Sequence, residues 1–128
     1  MTDGLADTSL FIAGETGRPI RAESVPGRLA VSVITIGELR AGVLAARNLE
    51  TRDRRLGTLA RALLLDPVPV DEAVTAAWAR LRVMLRDAGL RMGVNDSWIA
   101  ATPVALGVPV VTQDEDYVAV QGLDVIRV

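Results

Sequence analysis

Short β-branched runs alternate with helix-length amphipathic segments along this whole chain, and that alternation limits the fold more than any other feature. "GLAD" ends a first apolar strand through Leu5 and Ala6, and Thr8 or Ser9 can cap a helix through Leu10, Phe11 and Ile12. "RLAVSVIT" reads as a second strand ending at Thr35, a plausible cap. "IGELRAGVLAARN" follows as a helix with Ile36, Leu39, Val43 and Ala46 on one face. "ETRDRRLGTLARALLL" is a basic amphipathic helix, and Pro67 and Pro69 confine any strand in "DPVPVD" to a sheet edge. The longest helix runs through "DEAVTAAWARLRVMLRDAG" to a stop at Gly89, and "GLRMGVN" is a loop. "DSWIAATPVALG" is a helix in which Pro103 removes one backbone bond and should introduce a kink, followed by strands "VPVVT" and "DVIRV". Strand–helix alternation of this kind predicts an α/β fold with a mainly parallel central sheet flanked by helices. The 128 residues fit one domain, 1–128, with no linker, repeat or low-complexity segment.

Mean hydropathy is high at +0.32, yet no apolar run approaches the roughly 20 residues that a membrane span needs. Leu10 to Ala13 is too short for a signal sequence and lacks a basic flank, so a cytoplasmic location is expected. The residue types that are missing narrow the chemistry further. The chain has no cysteine and no histidine, and all 14 basic residues are arginine. Disulfides, thiolate chemistry, a Ser-His-Asp triad, a histidine zinc site, a Schiff-base lysine and a Walker A lysine are thereby excluded within the chain. Any chemistry must rest on carboxylates, helped by hydroxyls or arginine, and oxygen-only ligands favour hard cations. A net charge of −2 neither suggests nor excludes a nucleic-acid partner.

The carboxylates fall at strand ends and helix starts, where an α/β sheet builds its ligand site. Asp7 follows the first strand, Glu38 lies in the first turn of the second helix, Asp96 opens the helix before "VPVVT", and Asp114 and Asp116 follow that strand. Each alone has an ordinary reading: Asp7 and Asp96 as helix caps or first-turn acids, Glu38 as an exposed first-turn acid, "QDED" as a solvated turn. Together they form a constellation in a chain with few other catalytic groups. In an extended segment residues two apart share a side, so Thr112, Asp114 and Asp116 would face the site and Glu115 solvent.

"ADTSLFI", "TIGELRAG" and "NDSWIAATPVALGVPVVTQDEDY", in this order, resemble the motifs of PIN-domain proteins, specifically the VapC-type toxin ribonucleases of type II toxin–antitoxin systems. The resemblance covers nearly the whole chain. It implies a PIN-like fold and a Mg2+-dependent single-strand RNA endonuclease, with Mn2+ as a possible substitute, acting through metal-activated water. It implies that Asp7, Glu38, Asp96 and Asp114 are catalytic metal-binding acids, with Asp116 as a fifth, and that Thr112 orients them through its hydroxyl. It further implies a homodimer neutralised by a cognate VapB-type antitoxin, with transfer or ribosomal RNA as possible substrates. The helices from Ile36 to Asn48 and from Arg52 to Leu65 are candidate partner contacts, and Arg52, Arg54, Arg55 and Arg61 are candidate RNA contacts. Two rival readings are a catalytically inactive binding module of the same fold and an aspartyl-nucleophile phosphatase. Loss of a metal acid would favour the first, and none is lost; the second usually needs Asp-x-Asp after the first strand and a lysine, both absent here.

Overall fold

Three-residue strands can bury both faces only where helices cover them, and the described residues supply five. The computed structural model describes residues 2–115, 117 and 121–128. In order these form β1 (Gly4–Ala6), α1 (Thr8–Thr16), a 3-10 turn (Ala22–Ser24), β2 (Leu29–Val31), α2 (Val33–Leu44), α3 (Leu49–Leu63), α4 (Glu72–Ala88), α5 (Val94–Leu106), β3 (Val110–Thr112) and β4 (Val125–Arg127). The sheet order is β2-β1-β3-β4 and every pairing is parallel. The single α/β domain with a parallel sheet expected from the alternation is what is found. Val68 extends the sheet by one bridge outside β2: its N–H donates to Val31 O at 2.7 Å and its carbonyl accepts from Val33 N at 3.1 Å. The proline-flanked segment therefore reaches only the edge, as two missing N–H donors require.

Several boundaries differ from the sequence reading. The second strand stops at Val31, and Ser32, not Thr35, caps α2 by accepting the Ile34 N–H at 3.0 Å. The β-branched run Val33 to Ile36 turns helical because Ile36, Leu39 and Val43 bury together with Val31, Leu59 and Ala62, and that packing overrides local propensity. Glu38 therefore sits in the second turn of α2, not the first, and Thr35 is buried inside the helix. Helix α2 ends at Leu44, so the stretch to Asn48 becomes a connection, with Asn48 capping α3. Asp7 rather than Thr8 or Ser9 caps α1, accepting from Ser9 N. Helix α5 starts at Val94, two residues earlier than expected, behind Gly93, which makes Asp96 its third residue.

Pro103 does not end α5, which continues to Leu106. Instead Gly107, at φ 71°, closes the helix: its N–H reaches Val104 O and the Val108 N–H reaches Pro103 O at 3.0 Å. This paired arrangement turns the chain directly into β3, and only glycine adopts such a φ without strain. The core has one cluster between β2, α2 and α3 and another that gathers Leu81, Leu85, Ala100, Val110, Tyr117 and Leu123. Leu5, Ala30 and Ile99 join the sheet to α5.

Gly4 leaves no spare room between β1 and its neighbours. A Cβ there would lie 3.0 Å from Val111 Cγ2 and 3.4 Å from both Leu29 and Pro26 side chains. Replacing Gly4 by valine should overpack this junction and cost about 1–3 kcal/mol. Urea unfolding should show a lowered midpoint at unchanged slope, and an unchanged midpoint would mean the junction has slack.

Candidate active site

β1 and β3 are adjacent in the sheet, and the chain leaves β1 to form β2 on one side before returning to β3 on the other. This is the reversal point at whose carboxyl edge an open α/β sheet forms its crevice. Asp7 stands at the end of β1 there, only 3% exposed, its own N–H tied to Val111 O at 2.9 Å. A buried carboxylate is costly unless donors replace its water. Asp7 has four: Oδ2 accepts from Ser9 N at 3.3 Å, Ser9 Oγ at 2.7 Å and Thr112 Oγ1 at 2.8 Å, and Oδ1 accepts from the Tyr117 hydroxyl at 2.9 Å.

Proton counting fixes the direction of this network. Each hydroxyl has one proton and can also accept. Ser9 and Thr112 place theirs on the carboxylate, the shorter and charge-assisted choice. The 3.1 Å approach between their oxygens then carries no proton. Both are left as acceptors, Ser9 Oγ for Gln113 N and Thr112 Oγ1 for Asp114 N, each at 2.9 Å. Thr112 therefore orients Asp7 with its proton and fixes the backbone of Asp114 with its lone pair. The same bond curls the chain into a threonine turn. The segment is thus not extended beyond Thr112, so strict alternation of sides does not describe it; Glu115 is nevertheless exposed.

Glu38 is held from two directions. Its Oε1 accepts from Thr8 Oγ1 at 2.7 Å, and Oε2 from Asn95 Nδ2 at 3.4 Å. With its proton on Glu38, Thr8 must accept from Thr35 Oγ1 at 2.9 Å. Asn95 links α2 to the first turn of α5, where Asp96 lies. That turn is also braced from behind. Ser97 is fully buried, donates to Val94 O at 2.6 Å and accepts from Trp78 Nε1 at 3.0 Å. Trp78 stacks on Trp98 with ring centres 4.3 Å apart, which ties α4 to α5.

Tyr117 reports what converges here. Its phenol is pushed far above the ordinary value, first by burial, then by the charge and hydrogen bond of Asp7, then by the charges of Asp96 and Asp114. Three of the acids singled out from the sequence thus act on one hydroxyl, and Glu38 joins them through Asn95. Asp116 lies outside the described residues. All the donors are oxygens, which suits a hard divalent cation in kind. Among the described residues, however, no three carboxylates stand close enough together to enclose an ion.

The arginines of α3 divide. Arg52 and Arg54 are exposed, and Arg61 donates to Thr58 Oγ1 at 3.2 Å. Arg55 is half-buried, donates to Gly42 O at 2.6 Å and shares a cleft of about 290 Å³ with Thr8 and Glu38. Sequence reasoning gave no site role to Tyr117, Ser9, Thr8, Thr35 or Asn95. The signals were modest: two hydroxyls directly after Asp7, the one tyrosine after the acidic turn, and an amide beside Asp96. Among the described residues no helix is long and apolar enough to cross a membrane.

The profile of the PIN domain family matches residues 5–123. The chain belongs to the PIN-domain family and, within it, stands with the VapC proteins. It is 44% identical over 128 residues to Ribonuclease VapC5 of Mycobacterium tuberculosis, covering 98% of this chain and 95% of that one. It is 48% identical over 124 residues to Ribonuclease VapC4 of the same organism, covering 97% and 95%. Among solved structures it is similar to a chain of VapBC-5 from Mycobacterium tuberculosis, a member of the VapBC family of toxin-antitoxin systems, with TM-score 0.91, 40% identity and full coverage of both chains. FitAcB from Neisseria gonorrhoeae follows at TM-score 0.74 and 28% identity, with 94% of each chain covered.

Tyr117 also supplies a test of the network. It is the sole tyrosine, and without lysine or cysteine no other side chain titrates between about pH 9 and 12. Its folded-state pKa is raised, so the stability it contributes is complete below the unfolded value of about 10 and is lost as pH rises above it. The native state then holds one more proton than the unfolded state, and stability should fall by about 1.4 kcal/mol per pH unit. In metal-free protein, ultraviolet phenolate absorbance should appear only with unfolding, and Tyr117→Phe should remove the alkaline slope. A phenolate that titrates near pH 10 in folded protein would contradict the network.

Proposed function

We propose that the chain is a VapC-type endoribonuclease toxin that cleaves single-stranded RNA with a divalent cation, Mg2+ or Mn2+, and is neutralised by a VapB-type antitoxin. The observation that carries this reading is the bonded network at the carboxyl ends of β1 and β3, in which Thr112 holds both Asp7 and the backbone of Asp114 and Asn95 ties Glu38 to the turn of Asp96, in a chain without histidine, lysine or cysteine. The relatives named ribonucleases and the solved VapBC assemblies support it.

Asp7, Asp96 and Asp114 would hold the cation, with Glu38 beside them and Asp116 as a further ligand, and they would have to draw closer around it than they stand without it. When bound, the cation supplies an acidified water and offsets charge on the scissile phosphate. The chain's own residues prepare for that. Ser9 and Thr112 keep Asp7 aimed, because both hydroxyls donate to it. Tyr117 stays protonated and steadies the other oxygen. Asp96 is positioned by the Ser97–Trp78 brace, and Asp114 by the Thr112 turn. Glu38 faces a cleft of about 480 Å³ lined also by Val33, Ile34, Gly37, Ala41 and Asn95, and RNA would reach the acids along it. Arg55 would meet phosphate on the far side of Glu38, while Arg52, Arg54 and Arg61 would add general attraction.

The partner surface is proposed on α2 and α3. Leu44, Leu49 and Leu64 are about four-fifths exposed, at 81%, 80% and 81%, and Leu56 and Leu63 are exposed beside them. Apolar surface in such quantity marks an interaction site, here for the antitoxin or a second copy of the chain. Action on cellular RNA would place the protein in the cytoplasm.

The deciding experiment is RNA cleavage by purified protein across a metal series. Cleavage should require Mg2+ or Mn2+, Asp96→Asn should lower the rate by at least about 10²-fold while circular dichroism is unchanged, and Glu115→Gln should retain activity. Undiminished cleavage in excess EDTA would exclude the reading.

A further inference from the structure

A second cleft, of about 280 Å³, opens where α4 ends, and it is lined by Arg82, Leu85, Arg86, Leu90, Arg91 and Met92. Three guanidinium groups border it and, among the described residues, no carboxylate lines it, on a chain whose net charge is −2. Complementing the helix end accounts for only one of the three. Arg86 lies in the last turn of α4, complements the helix dipole and pairs with exposed Asp87 at 3.1 Å. Arg82 is a turn earlier, over the Trp78 ring at 5.6 Å, so the stacked tryptophans hold it in place. Arg91 lies past the helix, in the loop that leads to Gly93 and α5. Its Cα is at most about 18 Å from that of Asp96, five residues on.

The floor of the cleft is apolar, through Leu85, Leu90 and Met92. Cationic walls over an apolar floor suit a ligand that carries anionic and flat apolar groups in alternation. Single-stranded RNA is such a ligand, with phosphates for the guanidiniums and base faces for the floor. An acidic peptide would use only the walls. We infer that this cleft is an RNA subsite outside the catalytic centre, where Arg82 and Arg91 grip backbone phosphates and lead the strand to the Asp96 side of the active site. The inference rests on the nuclease reading for its substrate, and its test is separable from it.

The probe is a fluorescent single-stranded oligouridine of about 12 nucleotides, within the range one binding face covers. Anisotropy is measured in EDTA across a sodium chloride series, with probe integrity checked on a gel. Arg82→Gln/Arg91→Gln should make the slope of log affinity against log salt shallower by about 1.4, and Arg91→Gln alone by about 0.7, at about 0.7 per phosphate contact. Arg91 is an exposed loop residue, so its variant keeps the test valid if the double variant folds poorly. Arg28→Gln/Arg47→Gln, with the same charge change elsewhere, should leave the slope unaltered. An Arg91→Gln slope equal to wild type overturns the inference, as does an equal effect from the control pair. Loss of polyglutamate binding with RNA binding intact reassigns the cleft to acidic peptides and also overturns it. Cleavage by wild type in Mg2+ with an unaltered slope rejects the cleft alone; an altered slope without cleavage upholds the cleft as an RNA site and rejects the nuclease.

Discussion

A carboxylate buried at the end of β1 exists in this fold only because four donors surround it, and much of the site's geometry follows from that requirement. Asp7 must receive hydrogen bonds from Ser9, Thr112 and Tyr117. Those residues come from α1, the end of β3 and the segment beyond it. Satisfying one charge therefore brings together chain segments more than a hundred residues apart. In a region of low effective dielectric such bonds are strong when made and costly when broken, so the network specifies one arrangement. Asp7 is at once helix cap, buried hub and candidate ligand, and these roles support each other.

The second set of bonds works differently. Glu38 is half-buried and held by Thr8 and Asn95, residues adjacent in sequence to the hub and to Asp96. The α4–α5 tryptophan stack braces Asp96 through Ser97. Each acid is thus set by a neighbouring hydroxyl or amide, and Thr8, Ser9, Asn95, Ser97 and Thr112 lie on helices and a strand end rather than on long loops. Precision of that kind is what a site needs if charge is to be placed without reorganisation. The cleft beside Glu38 and the arginine cleft at the end of α4 are lined by different residues.

Much of this was legible in the sequence, for identifiable reasons. Strand–helix alternation gave the parallel α/β architecture because period and composition change together at each boundary. Gly89 and Gly107 marked the ends of α4 and α5 because both adopt positive φ. The α2 boundary was misplaced because Val33 to Ile36 has strand propensity, and only the packing of Ile36, Leu39 and Val43 against α3 makes it helical. Asp7, Glu38, Asp96 and Asp114 stood out as candidates because carboxylates at strand ends and helix starts contrast with apolar flanks. Their supports were not found. Nothing local distinguishes Thr8, Ser9 or Asn95 from ordinary capping and surface residues, and Tyr117 acquires its role through a partner 110 positions away.

The match to PIN-domain and VapC proteins spans nearly the full chain, so the architecture described here belongs to the family. In this chain the hydroxyls of Ser9 and Thr112 and the phenol of Tyr117 hold Asp7 with no cation bound. The central claim is that these acids form one cation site, and calorimetric titration of Mn2+ into wild type and Asp114→Asn tests it most directly. Asp114 is half-buried rather than core, so its variant should remain folded. The account predicts saturable binding by wild type and affinity at least about 10-fold weaker in the variant. Equal affinity in the two proteins would contradict it.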